Sequence, residues 1–174
     1  MKIVLLFLSI MVSNISDTSI YDYTINDTDG NVINLNTFQG KKILFVNTAS
    51  GSKYTDQYAS LEQLYQMYKD SLVIIAVPSN DFGNEPMEND SLKIYITDHY
   101  NAHYIIGSKV SVRGDDMISV YHWLTDVNLN HVYNNSVNGD FYKFLVDATG
   151  NIIGLYSGSV DPMDSTLQNQ IKNQ

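Results

Sequence analysis

The hydrophobic positions fall into two patterns, short unbroken runs and runs at helical spacing, and their order predicts an α/β fold. Ile43–Asn47 (ILFVN) and Leu72–Val77 (LVIIAV) are continuous apolar stretches of strand length, as expected of central strands covered on both faces. Between them Tyr58, Leu61, Leu64, Tyr65 and Tyr68 recur every three or four residues and predict a helix running to Asp70. Thr55 is positioned to cap it, and Asp56 falls near the positive end of the helix dipole. Strand, helix and strand with short connections predict a right-handed crossover and parallel pairing. Both strands then end at one sheet edge, so Thr48–Tyr54 and Pro78–Asn89 face a common crevice, where open α/β sheets carry their sites. The stretch Leu44–Thr55 (LFVNTASGSKYT) presents Ser52 at that crevice.

The remaining pattern extends this unit. Ile20–Ile25 and Asn31–Leu35 alternate around Asp27-Thr28-Asp29-Gly30 and predict a hairpin. Asp27, Asp29 and Asn31 are turn chemistry there; a calcium loop needs its glycine elsewhere and a following Glu. Asn89-Asp90-Ser91 predicts a cap for a helix carrying Leu92, Tyr95, Ile96 and His99. Tyr104–Ile106 and Lys109–Val112 are strand-like, and Asp115-Asp116 opens a helix with Ile118, Tyr121 and Leu124 inward. Asn128–Asp140 is polar and Asn-rich, a predicted loop. Phe141–Asp147 and Ile152–Ser157 predict a second hairpin, and Asp164–Gln174 a closing helix. No repeat or linker divides residues 17–174, which read as one domain.

Composition narrows the function. The 174 residues are 44% hydrophobic, enough for a sizeable core, and carry a net charge of −9. That balance argues against nucleic acid or an anionic membrane surface as partner, since both select clustered Lys and Arg. There is no cysteine, so no disulfide, thiolate nucleophile or Cys-ligated metal exists. Met1-Lys2, the apolar run Ile3–Val12 and the small polar residues after it form a predicted signal peptide over residues 1–16. The run is too short to span a bilayer. Export to the periplasm or the outside is expected. Asn26-Asp27-Thr28, Asn89-Asp90-Ser91 and Asn134-Asn135-Ser136 match the glycosylation pattern, which short Asn-rich stretches also produce by chance.

Several blocks together resemble the glutathione peroxidase family: SIYDYTINDTDGNVINL, GKKILFVNTAS, SLEQLYQMYKD, IIAVPSNDFG followed by Glu85-Pro86, YNAHYIIGSKVSVRGDD, YHWL and FYKFLVDATGNII. They keep the family's order from Ser19 to the C-terminus. The resemblance implies a thioredoxin-like fold, a central mixed β-sheet flanked by helices, with an added N-terminal β-hairpin. Only sixteen residues, Thr125–Asp140, separate the YHWL helix from the FYKFLVD strand, which implies a short-loop member and a monomer. The family reaction is reduction of hydroperoxides by glutathione or thioredoxin, part of the response to oxidative stress, with no bound cofactor.

The resemblance also places the family's four reacting positions on this chain. The Cys or selenocysteine nucleophile corresponds to Ser52, the supporting Gln to Asp81, the Trp to Gly139 and the Asn to Asp140. All four are substituted. Lys53 replaces the usual Gly after the nucleophile, Ser79 stands where many members carry a further Cys, and Asn84 departs from the pattern before Glu-Pro. The lone Trp123 belongs to the YHWL helix.

Peroxidatic chemistry needs an ionised, polarisable nucleophile and the sulfenic-acid step that follows attack. A serine hydroxyl supplies neither. Asp81 and Asp140, projecting inward, add negative charge where neutral donors stood and disfavour a developing anion. The sequence therefore predicts a family member without thiol peroxidase turnover, kept as a binding or structural module. The alternative is an enzyme, either a residual peroxidase or a divalent-metal-dependent activity in which Ser52, Asp81 and Asp140 are ligands. A hydrolytic triad needs a histidine near Ser52, and His99, His103, His122 and His131 all fall outside the crevice loops.

Overall fold

The computed structural model describes residues 18–173. The leader predicted over residues 1–16 lies outside the described residues. The elements in chain order are β1 (Thr24–Asn26), β2 (Val32–Asn34), β3 (Lys42–Thr48), α1 (Gln57–Tyr68), β4 (Leu72–Pro78), α2 (Asn89–Tyr100) and β5 (Ile105–Ile106). After them come α3 (Ser119–Thr125), α4 (Val127–Asn130), β6 (Lys143–Val146), β7 (Ile152–Tyr156) and α5 (Ser165–Lys172).

Five strands form one mixed sheet in the order β5-β4-β3-β6-β7. β3 pairs parallel with β4 from Lys42↔Leu72 to Thr48↔Pro78, and β5 extends β4 in parallel. β6 returns antiparallel on the other side of β3, and β7 antiparallel on β6. Because side chains alternate across a strand, β3 supplies both cores: Ile43 and Phe45 enter one, Leu44 and Val46 the other. The first core is closed by α3 (Val120, Tyr121, Trp123, Leu124) and by Ile20, Ile25 and Leu35 of the N-terminal segment. The second is closed by α1 (Tyr58, Leu61, Leu64), α2 (Leu92, Ile96) and α5 (Leu167, Ile171). This is the thioredoxin-like architecture that the sequence implied, hairpin included. β1 and β2 pair antiparallel and join the sheet edge through a bridge between Asp27 and Gly107. Gly107 eases the close approach there, since a Cβ would lie a tight 3.3 Å from the Ala76 carbonyl oxygen.

The sequence reading needs local corrections, some from local capping and winding and some from a polar group that found a tertiary partner. Ile20–Asp22 is a 3-10 turn capped by Ser19 and not part of the first strand. Thr55 does not cap α1, because the chain already winds helically before it; Thr55 N–H donates to the Ser52 carbonyl at 3.3 Å, and Asp56 makes no side-chain cap bond. Asn89 lies inside α2, its Oδ1 accepting the Lys109 N–H at 2.7 Å instead of capping the helix. Lys109–Val112 is a loop without strand pairing; its amides serve Pro78 and Asp81. α3 begins at Ser119, after a turn at Asp115-Asp116, and the predicted loop after Asp126 opens with the single helical turn α4, capped by the Asp126 side chain.

Candidate functional site at the strand-end crevice

Three segments meet beyond the ends of β3 and β4. The first is the turn after β3. Ser52 sits at its tip, 6% exposed, its N–H donating to the Ala49 carbonyl and its Oγ accepting the Tyr54 N–H at 3.3 Å. The second is the loop after β4. Ser79 N–H donates to the Thr48 carbonyl at 2.9 Å, and Gly51 N–H to the Asn84 carbonyl at 2.8 Å. A Cβ at Gly51 would stand 2.8 Å from that oxygen, so the contact requires glycine. Glu85, 1% exposed, locks the two segments together by accepting the Ser50 N–H and hydroxyl at 2.7 Å each and the Met87 N–H at 3.0 Å. Charge-assisted bonds of this length satisfy a buried carboxylate that would otherwise be costly.

The third segment is Gly139–Phe141, leading into β6. Asn47 clamps it, its Nδ2–H donating to the Gly139 carbonyl at 2.9 Å and its backbone carbonyl accepting the Phe141 N–H at 2.6 Å. Phe141 has φ 57°, a left-handed conformation that costs a non-glycine residue about 1 kcal/mol or more. The buried Lys143 supports it, donating Nζ–H to the Phe141 carbonyl at 2.7 Å. Burial pushes the Lys143 ammonium from 10.5 down to about 7, against the pull of the Asp161 carboxylate.

The segments line an open cleft of about 490 Å³ whose lining includes Ser52, Lys53, Tyr54, Phe82, Asn84 and Asp140. Asp140 is 6% exposed; Oδ2 accepts the Asn84 Nδ2–H at 2.6 Å, and no donor of the described residues reaches Oδ1. Ser52, Gly139 and Asp140 are thus brought to one place. Asp81 is not. Its carboxylate turns outward to the loop before α3 and accepts the Ser111 hydroxyl at 2.9 Å, the Val112 N–H at 2.6 Å and the Arg113 N–H at 3.1 Å. The expected inward pair of carboxylates is therefore a single carboxylate, since three donors outside the crevice outweigh a position beside another anion. Ser79 is also buried, its Oγ accepting the Asp81 N–H.

The histidines stay outside the lining. His103 Nδ1 and N–H both meet the Glu62 carboxylate at 2.8 Å, and His99 Nδ1 meets the Tyr95 carbonyl. Among the described residues no three His, Asp or Glu side chains converge as a metal cluster would require. Sequence reasoning missed the Glu85 staple, the Asn84–Asp140 bond and Lys143. Only the last had a visible signal, a lone charge inside the apolar strand FYKFLV.

With this geometry in hand, comparison decides the ancestry. The sequence model of the glutathione peroxidase family matches residues 20–125. The chain belongs to the glutathione peroxidase family. A probable phospholipid hydroperoxide glutathione peroxidase of Citrus sinensis is 34% identical over 160 residues, covering 90% of this chain and 94% of the relative. A glutathione peroxidase-like peroxiredoxin of Schizosaccharomyces pombe is 35% identical over 155 residues, covering 88% and 96%. Among solved structures, the apo form of Trgpx superposes with a TM-score of 0.70 at 30% identity, covering 90% of this chain and 94% of that one. A thioredoxin-family thiol:disulfide interchange protein from Chlorobium tepidum has a TM-score of 0.63 at 14% identity, covering 86% and 90%, and shares the fold alone. Glutathione peroxidases reduce hydroperoxides with glutathione or thioredoxin and need no bound cofactor, and this member has no cysteine to do so.

Proposed function

We propose that this glutathione peroxidase family member does not reduce hydroperoxides and that its crevice serves as a binding site in an exported protein. The observation that carries the reading is that Ser52, in the nucleophile's place, and the buried Asp140 line one cavity. An attacking atom there needs to become anionic, and the Ser52 hydroxyl, which no Asp, Glu or His side chain hydrogen-bonds, stays protonated near neutral pH. A carboxylate nearby opposes that ionisation further. Asp81, anchored outside, gives the crevice no donor in place of the family's Gln, and Gly139 supplies no indole. The acid set is also too small for a hard divalent cation, which takes six to eight oxygens or keeps most of its water. What persists is the scaffold: the Glu85 staple, the Asn47 clamp and the turn after β3.

Export rests on the N-terminal pattern of residues 1–16, and a monomer on the short connection between α3 and β6. Among the described residues no helix is long and apolar enough to cross a membrane. The deciding experiment is consumption of hydrogen peroxide and of a lipid hydroperoxide by the purified protein, with glutathione and with a thioredoxin system. We expect the rate in buffer alone. Turnover that disappears in Ser52→Ala would refute the reading. Fractionation of cells expressing the full chain, with the mass of the recovered protein, tests export; an unshortened chain in the cytoplasm would overturn it.

A further inference from the structure

We propose that Asn138 is a modification site through which the chain alters its own crevice: the Gly139 amide displaces the side-chain nitrogen of Asn138 as ammonia. The change falls on the crevice wall and does not depend on what the crevice binds. Asn138-Gly139 is the single Asn-Gly pair in the chain, and both residues line the crevice. Asn138 is exposed, and one neutral bond holds its side chain, Nδ2–H donating to the Ser136 carbonyl at 3.0 Å. The Gly139 N–H donates to no group among the described residues. No side chain screens that nitrogen, and a Cβ built at Gly139 would meet nothing within 4 Å. The peptide therefore has both the backbone freedom and the room to turn onto the side-chain carbonyl.

Comparable pairs lack this combination. Asn134 is also exposed, but the amide that would attack it, the Asn135 N–H, donates to the Thr125 carbonyl at 3.0 Å. In Asp29-Gly30 the Gly30 N–H donates to the Asp27 carbonyl at 3.0 Å, and the Asp29 carboxylate pairs with Lys93. A hydrogen-bonded amide gives up that bond before its nitrogen can lose a proton and attack. Gly139, standing at the family's Trp position, has no such bond to give up.

The chemistry needs only water. Water or hydroxide takes the Gly139 amide proton, the nitrogen bonds to Asn138 Cγ, the Cγ–Nδ2 bond breaks and ammonia leaves. Water then opens the cyclic imide. Cleavage of the new Cγ–N bond leaves aspartate; cleavage of the original peptide C–N bond leaves isoaspartate, its backbone lengthened by a methylene. The sum is amide plus water to acid plus ammonia, with nothing oxidised or reduced. Either product adds a carboxylate to the wall that carries Asp140. Isoaspartate also displaces the Gly139 carbonyl that Asn47 clamps.

The test is storage of the purified full chain at pH 8 and 37 °C, in buffer and in guanidinium chloride, with peptide mapping by mass spectrometry and enzymatic methylation of isoaspartate. Position 138 should convert faster than every other asparagine and give both products. Its rate in the folded protein should lie within tenfold of the rate in guanidinium chloride. Conversion led by another asparagine, or slowed more than tenfold by folding, would overturn the proposal. The side-chain amide signals of Asn47 should move in the aged wild type and stay in place in an equally aged Asn138→Gln variant. Signals of Asn47 that do not move in fully converted protein would refute the change of wall. The wild-type rates decide the site even where the variant fails to fold.

Discussion

Replacing Lys143 by methionine should stabilise the protein at pH 6 and do so progressively less as the pH rises. Lys143 lies on β6 with its side chain fully buried among the α1 side of the core, donating one bond to the Phe141 carbonyl. Burial lowers its ammonium from 10.5 to about 7, with Asp161 opposing the shift. Between those values the unfolded chain holds a proton that the folded chain releases, so stability rises with pH across that window. Below about 7 the full penalty applies. At about 1.4 kcal/mol per pH unit its ceiling is about 5 kcal/mol. Methionine is close in length, apolar and adaptable, but it orphans the Phe141 carbonyl at a cost of about 1 kcal/mol. The net gain at pH 6 is then about 2–4 kcal/mol, or roughly 5–15 °C in Tm for a chain of this size. By pH 9 the advantage should shrink by about 3 kcal/mol. Urea titrations of both proteins at pH 6, 7.5 and 9 read this directly. Parallel stability curves, with the variant offset by a constant amount or uniformly destabilised, would show that Lys143 is neutral-tolerant packing or is paired in a way that the geometry does not contain.

Three further outcomes follow from the site. Ser52→Cys alone should leave hydroperoxide consumption with a thiol reductant at least a hundredfold below that of an active relative, because about 3 kcal/mol of transition-state support is missing at Asp81, Gly139 and Asp140; full activity from that single change would show that these positions matter little. Asp81→Ala should destabilise by about 1–3 kcal/mol, since it strips the Val112 and Arg113 amides and the Ser111 hydroxyl of their shared acceptor, and an unchanged urea midpoint would contradict the bonds described. Gly158→Ala should cost more than about 2 kcal/mol, because its Cβ would stand 2.1 Å from the Asp140 carbonyl oxygen and force the crevice apart; a Tm within 2 °C of the wild type at about 2–4 °C per kcal/mol would refute this.

Sequence alone determined the strand–helix–strand unit, the hairpins and the edge at which the site lies. Ile43–Asn47 and Leu72–Val77 are apolar on both faces, so they are central strands wherever the chain folds, and a helix between them makes parallel pairing obligatory. That logic is local and needs no partner. The absence of sulfur at Ser52 was equally legible, because chemistry follows from residue type. The direction of each polar side chain was not. Asp81 and Asp140 look alike in sequence, yet one turns to the Ser111–Arg113 loop and the other enters the cavity. Which donors surround a carboxylate depends on segments thirty to sixty residues away, and the penalty for an unsatisfied buried charge makes that choice decisive. The same long-range satisfaction moved Asn89 off its expected cap and tied Asp140 to Asn84. Residue order places the crevice; only the folded arrangement of donors decides which acid lines it.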